Sequence, residues 1–290
     1  MLSVLIPAYD EAESIAAVVA RARETMEASG VPYELIVIDD GSSDGTGERA
    51  KADGVRVIRH PRNAGYGRAL KTGIRESRYP WCAIVDADGS YPVEKLPELL
   101  AHVPVYDMVV GARTGSIYWG SFGRRLLRTA LLRLVQFVAG TSVPDVNSGF
   151  RIFRKDVALA HSARISSGFS FTTTLTLAMI LGEHFVHYVP IEYRPRVGKT
   201  KVRLRRDILR MLQILVQAVL FYNPLKAFLA LCFVSVLASL VIGGALCFYH
   251  PSMGLEFLGF GIIAAIGIGA VGFLAESLRL RAKETPVSRE

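Results

Sequence analysis

The sequence predicts an α/β protein built on a doubly wound, mostly parallel sheet and followed by a membrane hairpin. Three observations carry that prediction. Short apolar runs alternate with helix-period segments over residues 1–200. Three of those runs end in acidic or polar loops, at residues 7–11, 39–40 and 86–88. Two uncharged stretches, residues 227–249 and 257–275, are each long enough to cross about 30 Å of hydrocarbon.

Residues 2–6 read as a buried strand closed by Pro7. Asp10, Glu11 and Glu13 then place acids at the N-terminal end of a helix over about residues 14–28, as the helix dipole favours. Residues 34–38 form a second strand. It ends in Asp39-Asp40-Gly41-Ser42-Ser43-Asp44-Gly45-Thr46, a turn that caps a following helix. Residues 55–58 are a third strand, and Asn63-Ala64-Gly65-Tyr66-Gly67 turns into a helix reaching about Ser77. The fourth strand ends in Ala83-Ile84-Val85-Asp86-Ala87-Asp88. Residues i and i+2 of a strand share a face, so Asp86 and Asp88 serve one site. That site opens at the strand end where open α/β sheets bind ligands, and its oxygen ligands suit Mg²⁺ or Mn²⁺. A helix near residues 92–102 and a strand at 108–111 follow. Residues 121–139 pattern as an amphipathic helix lying on a membrane surface, with Arg124, Arg125 and Arg128 beside Leu, Val and Phe. A packed helix with a solvated basic face is the alternative.

Apolar residues make up 51% of the chain and the net charge is +8. Residues 108–144 hold five Arg and no acid, and residues 194–210 hold eight Lys or Arg against one Asp. Such clusters serve an anionic membrane, an anionic substrate or nucleic acid. Cys82, Cys232 and Cys247 have no metal or disulfide spacing and read as buried thiols. The chain starts on a strand-like run, without the pattern of a secretory signal. The connection at residues 250–254 lacks Lys and Arg. Arg203, Arg205, Arg206 and Arg210 precede the hairpin, and Arg279, Arg281 and Lys283 follow it. The positive-inside rule places residues 1–220 and both termini in the cytoplasm, on a plasma (inner) membrane crossed twice. Gly261, Ala265 and Gly269 form a small-residue face for the first hairpin helix or for another subunit, and a homo-oligomer through the membrane region is expected. The expected divisions are a catalytic domain at 1–200, a basic amphipathic juxtamembrane helix at 201–223, two transmembrane helices at 224–276 and a tail at 277–290.

Three strand-end loops delivering acids, an aromatic and a metal site to one crevice suit a nucleotide. Ser3-Val4-Leu5-Ile6-Pro7-Ala8-Tyr9-Asp10-Glu11, Val37-Ile38-Asp39-Asp40-Gly41-Ser42-Ser43-Asp44-Gly45-Thr46 and Asp86-Ala87-Asp88 resemble the successive signatures of family 2 glycosyltransferases with the GT-A fold. Gly111-Ala112-Arg113, Asp145-Val146-Asn147-Ser148-Gly149-Phe150-Arg151 and Arg196-Val197-Gly198-Lys199-Thr200-Lys201 are similar to its polyprenyl-phosphate branch, which includes dolichyl-phosphate mannose synthase and undecaprenyl-phosphate glucosyltransferases. The resemblance implies that Pro7, Tyr9, Glu11, Asp39 and Asp40 hold the donor nucleoside, with Ala87 also on the donor. It implies Asp86 and Asp88 for the metal and diphosphate, and Arg113, Arg124, Arg125 and Arg128 for the acceptor phosphate. Asp145 matches the acid taken as catalytic in that branch, and Arg196 and Lys201 would close on the donor phosphates. Mannose synthases carry Gln where this chain has Ser90, and some relatives carry acids in the segment matching residues 168–173, where this chain has none.

The reaction implied is inverting transfer of one sugar, from UDP-glucose or GDP-mannose, to undecaprenyl or dolichyl phosphate at the cytoplasmic face. The product is a lipid-linked sugar for use across the membrane. A phosphate monoester, with a second pKa near ~6, needs little deprotonation before it attacks. It needs charge neutralisation, which arginines supply bidentately. Asp145 is therefore assigned to orienting the acceptor phosphate or shaping the metal site ahead of a base role; a turn acid capping Asn147-Ser148-Gly149 is the bland alternative.

Other readings fit less well. A P-loop ending at Lys199-Thr200 needs Gly where Tyr193 stands, and a dinucleotide fingerprint starting at Gly65 needs Gly where Leu70 stands. A dehalogenase-type phosphatase carries Thr or Val at the Ser90 position and puts its motif on the first strand. A processive polysaccharide synthase carries Gln-x-x-Arg-Trp, but Trp81 and Trp119 follow Pro80 and Tyr118. A lipid-binding scaffold leaves the acidic loops without a role, and no nucleic-acid recognition motif is present.

Overall fold

The computed structural model describes residues 1–115, 122–163, 165–168, 170–196, 213, 216, 217, 220 and 223–284. The chain divides into two compact units, residues 1–212 and 213–290. Lys201, the loop at 197–201, the juxtamembrane stretch at 201–212 with its four arginines, and the end of the tail lie outside the described residues, as does the Arg124 side chain.

The first unit is a sheet of seven strands in the order β3-β2-β1-β4-β6-β5-β7. These are β1 (Leu2–Ala8), β2 (Tyr33–Asp39), β3 (Val55–Arg59), β4 (Trp81–Ile84), β5 (Met108–Thr114), β6 (Arg151–Arg154) and β7 (Val186–Glu192). Alternate residues feed two cores, one on each face. Leu2, Val4, Ile6, Leu35, Val37, Ala83 and Val109 pack on one side, and Leu5, Ile36, Ile38, Cys82, Ile84, Met108 and Val110 on the other. Strands buried on both faces read as continuous apolar runs, which is why they were legible.

Helix α1 (Ile15–Ser29) covers the first face with Ile15, Val18, Val19, Ala22 and Met26 at helical spacing. A single turn, α2 (Thr46–Arg49), follows β2. Helix α3 (Tyr66–Glu76) covers the second face with Ala69, Leu70 and Ile74. The helix expected at 92–102 is shorter, a 3₁₀ turn at Val93–Lys95 and α4 (Leu96–Leu100). The amphipathic helix forms as α5 (Phe122–Ala139). Two further helices, α6 (Lys155–Ala160) and α7 (Phe171–Leu181), flank a region not assigned from sequence.

Two differences from expectation shape the site. Strand β4 stops at Ile84, so Asp86 and Asp88 lie in a turn beyond the pleat, and the shared-face argument does not apply to them. Gly89, at φ 73°, lets that turn close. Strand β6 is antiparallel to both neighbours, β4 and β5, in an otherwise parallel sheet. An antiparallel strand starts where its neighbours end. The loop preceding β6, with Asp145 through Gly149, is therefore delivered to the same edge as the loops that follow β1, β2 and β4. That edge includes the point where the order reverses, between β1 and β4, which is where open sheets form a binding crevice.

The second unit is an antiparallel helical hairpin, α8 (Pro224–Tyr249) and α9 (Pro251–Glu284), both long and apolar enough to cross a membrane. The connection is tighter than the sequence suggested, since α9 begins at Pro251. A Cβ on Gly261 would fall 1.6 Å from Ser239 Oγ, and one on Gly254 would fall 2.3 Å from Cys247 Sγ. Cys232 Sγ donates to the Ala265 carbonyl at 3.1 Å. The small-residue face at 261–269 thus packs within the hairpin.

Candidate active site

The loop after β1 and the loop after β2 are sewn together by side chains. The backbone N–H groups of Asp10, Glu11 and Ala12 donate to Ser42 Oγ, Thr46 Oγ1 and Asp44 Oδ2 at 3.0, 2.8 and 3.0 Å. The Ser43 N–H returns a bond to Asp10 Oδ1 at 2.9 Å. Ser and Asp at these turn positions satisfy backbone donors that no helix or strand reaches. Pro7 is buried at the end of β1, with Tyr9 and Glu11 partly exposed beyond it.

The two adjacent acids have different surroundings. Asp40 is buried and accepts from the Ala64 and Gly65 N–H groups at 3.0 and 2.8 Å, with His60 Nδ1 at 2.7 Å. It organises the approach to α3. Asp39 accepts from the Ser42 N–H at 2.9 Å through Oδ1. Among the described residues its buried Oδ2 has no hydrogen bond, only Arg59 Nε at 3.5 Å.

In the turn after β4, Asp88 Oδ1 accepts from the Ser90 N–H at 3.0 Å and from Ser90 Oγ at 2.6 Å. Its Oδ2 pairs with Arg196 at 2.7 Å, and Arg196 also reaches Glu11 at 3.8 Å. Ala87 is held by Ser14, whose hydroxyl donates to the Ala87 carbonyl at 2.7 Å. Asp86 Oδ1 accepts from the Tyr66 hydroxyl at 2.8 Å. Burial and then the neighbouring Asp88 charge push the Asp86 carboxyl up to about 7, against the pull of Tyr66, Arg113 and Arg196. Ser90 thus orients Asp88, and among the described residues no cluster of three His, Cys, Asp or Glu could hold a metal. Two repelling carboxylates in one turn, one already paired with a cation, fit a hard divalent ion completed by phosphate oxygens.

Asp145 is buried, and Arg113 grips it bidentately through Nε at 2.7 Å and Nη2 at 2.9 Å. The Arg113 and Asn147 N–H groups add bonds at 3.1 Å each. Burial raises the Asp145 carboxyl, but the Arg113 charge and these bonds outweigh it and leave the group below its ordinary value. Arg113 also lies over the Tyr193 ring at 5.4 Å, and Tyr193 meets the edge of Tyr91. On α5, Arg125 is exposed and Arg128 half-buried, one turn apart.

Sequence reasoning missed several supports. Tyr66 and Tyr91 carried no signal beyond their turns. The Tyr91 hydroxyl accepts from the Gly149 N–H at 2.7 Å. Arg151 is fully buried and holds the Ser148 carbonyl through Nε at 2.9 Å, with Thr172 O and Thr176 Oγ1 at 3.1 and 2.9 Å. A charged residue inside an apolar strand pattern was the available clue.

The model of the family described as "Glycosyl transferase family 2" matches residues 3–160. An undecaprenyl-phosphate mannosyltransferase of Micrococcus luteus is 32% identical, over 68% of this chain and 86% of its own. A dolichyl-phosphate hexose transferase of Haloferax volcanii is 30% identical, over 69% of this chain and 86% of its own. Among solved structures, glucosyl-3-phosphoglycerate synthase from Mycobacterium tuberculosis, in complex with Mn²⁺, UDP and phosphoglyceric acid, is similar with a TM-score of 0.59. It is 22% identical, covering 75% of this chain and 78% of that one.

Proposed function

Because the chain belongs to glycosyl transferase family 2 and has the GT-A fold, we propose that it moves a single sugar from a nucleotide sugar to the phosphate of a polyprenyl phosphate, with inversion. UDP-glucose and GDP-mannose are the leading donors. The hairpin α8–α9 anchors the chain in the plasma membrane, with the catalytic unit and both termini on the cytoplasmic side, where the Lys and Arg flanks lie.

The observation that carries this reading is the meeting of a two-carboxylate turn with two guanidinium groups at one sheet edge. Asp86 feels the charges of both Arg113 and Arg196. Two anionic substrates must approach each other there, and the two cations belong to different elements, β5 and the segment after β7. Arg113, its plane fixed by Asp145, receives the acceptor phosphate and lowers the repulsion between the substrates. An acceptor oxygen attacks the anomeric carbon as the bond to the donor diphosphate breaks on the opposite face. Arg196 lies beside the carboxylate turn and meets the charge on the leaving diphosphate. Asp39, in the loop after β2, is assigned to the nucleoside. A Mg²⁺ or Mn²⁺ ion on Asp86 and Asp88 would supply further charge withdrawal from the diphosphate.

Asp145 acts here as a positioning residue for Arg113. A carboxylate held below its ordinary pKa is a weak base, and a phosphate nucleophile is already ionised. The test is a panel of nucleotide sugars incubated with undecaprenyl phosphate and Mn²⁺ or Mg²⁺, with lipid products weighed by mass spectrometry. One hexose added to the lipid phosphate is the expected product. A polymer, or no lipid product with any donor, would overturn the reading.

A further inference from the structure

Asp86 and Asp88 are each held on one oxygen by a side-chain hydroxyl, one from α3 and one from their own turn. The Tyr66 hydroxyl donates to Asp86 Oδ1 at 2.8 Å, and Ser90 Oγ donates to Asp88 Oδ1 at 2.6 Å. The two carboxylates face different neighbours. Asp88 Oδ2 faces the Arg196 guanidinium at 2.7 Å. The Asp86 carboxylate lies against Gly149, where a Cβ would fall 2.6 Å from Oδ2 and 2.8 Å from Oδ1, so only bare backbone leaves that carboxylate room.

Both donors are fixed in place. Tyr66 opens α3, and the Gly65 N–H just before it is tied to Asp40 at 2.8 Å. Its ring packs against the second core. Ser90 is fully buried, and its own N–H shares the Asp88 oxygen with its hydroxyl.

We propose that Tyr66 and Ser90 are positioning residues that turn Asp86 and Asp88 so that each presents a single oxygen to a divalent cation, the rest of the ion's coordination coming from a nucleoside diphosphate and water. The proposal rests on the reading above that this turn is the metal and diphosphate site. A carboxylate with one oxygen tied to a hydroxyl binds a metal through the other, in a fixed direction. Two such oxygens underfill the octahedron that Mg²⁺ and Mn²⁺ require, and no third acidic, His or Cys side chain joins them among the described residues. The chain alone is therefore a poor divalent-ion site, and ion and nucleotide bind as a unit.

The experiment measures Mn²⁺ binding to the full chain in detergent, by calorimetry and by the loss of free-Mn²⁺ electron paramagnetic resonance signal, alone and with UDP or GDP. Wild type is expected to bind Mn²⁺ at least about tenfold more tightly with the nucleotide it accepts, while Tyr66→Phe and Ser90→Ala each weaken that nucleotide-assisted binding by about 10–100-fold. Nucleotide affinity in chelator should stay at the wild-type value, which a merely structural role would not leave intact, while the ion-free melting temperature should fall by only about 2–6 °C, the cost of one buried hydrogen bond. Should Ser90→Ala not fold, Tyr66→Phe alone decides. Wild-type Mn²⁺ affinity in the variants removes the roles of Tyr66 and Ser90 and leaves the metal reading standing. Equal wild-type affinity with and without nucleotide overturns the two-oxygen site. No Mn²⁺ binding with either nucleotide overturns both the inference and the metal reading.

Discussion

Asp145→Asn separates a positioning acid from a catalytic base. The wild-type carboxylate accepts two side-chain bonds from Arg113 and two backbone bonds, all between 2.7 and 3.1 Å. Its side chain is 1% exposed and that of Arg113 14%, so the pair is sheltered from solvent. Removing one partner of such a pair costs about 3–5 kcal/mol, because the other charge remains without compensation. Asparagine keeps the shape and one acceptor but turns an NH₂ toward donors, so the low end, about 3 kcal/mol, is expected. For a unit of this size each kcal/mol moves the melting temperature by about 2–4 °C, giving a fall of roughly 6–12 °C. The assay is thermal unfolding of the full chain in detergent, followed by circular dichroism. Arg113→Met and the double variant complete a cycle, and the double variant should recover much of the loss. The difference between wild type and Asp145→Asn should also depend on pH. A carboxyl held below its ordinary value contributes stability that is present above about pH 4 and is lost as pH falls through its folded value. A drop under about 2 °C, with activity gone, would refute the positioning role and favour a base.

Other outcomes follow from the same contacts. The Asp86 carboxyl, pushed up to about 7 by burial and then by Asp88, must give up its proton to a cation. Mn²⁺ affinity should therefore fall about tenfold per unit below pH 7 and level off above it. In chelator the sign for folding is opposite to that for the ion: stability linked to Asp86 is complete below the usual carboxylate range and is lost as pH rises through about 7, so the melting temperature should fall over that span and Mn²⁺ with the nucleotide should restore it. Binding that does not change with pH would contradict the shift. Gly149→Ala places a Cβ 2.6 Å from Asp86 Oδ2, and a displacement of that carboxylate should lower kcat about 100-fold with the fold retained, read by product formation and circular dichroism. Arg196→Ala frees Asp88 Oδ2, so Mn²⁺ binding without nucleotide should tighten by up to roughly fivefold while KM for the nucleotide sugar rises; weaker Mn²⁺ binding would argue against competition between the two cations.

The sequence disclosed the half of the sheet whose grammar is local. In β1, β2 and β4, apolar runs buried on both faces end at the crevice, so the local sequence alone places their polar loops. The other half depends on a strand that pairs out of order. Nothing within residues 151–154 says that β6 runs antiparallel between β4 and β5, because direction is set by partners distant in sequence. The same limit applies within the site. The expectation that Asp86 and Asp88 share a strand face does not hold, since β4 ends two residues before Asp86. Asp39 and Asp40 looked equivalent, yet among the described residues one has an open buried oxygen and the other is saturated by backbone donors from 64 and 65. Hydrogen-bond satisfaction is a property of the assembled loops, and residue type alone does not report it.

On the proposed function, the antiparallel insertion also gives a single edge the means to serve two anions. A purely parallel continuation would send the segment after β5 through a helix and back to the far end of the sheet before the next strand began. Turning β6 around instead starts it at the crevice. Its leading loop sets Asp145 against Arg113 on β5 and Gly149 against Asp86. One loop thereby touches both the arginine assigned to the acceptor and the carboxylate assigned to the metal. Arg151, at the root of that loop, ties it to α7 through Thr172 and Thr176. A shift of the loop would move both groups together, so their spacing is set by one rigid piece of backbone. Rigid spacing is what an in-line attack between two charged substrates requires, since misplacement by about 1 Å is enough to cost about 100-fold in rate. Substitutions at Arg151 should therefore damage acceptor and donor kinetics together, whereas those at Tyr66 or Ser90 act through the carboxylate turn alone.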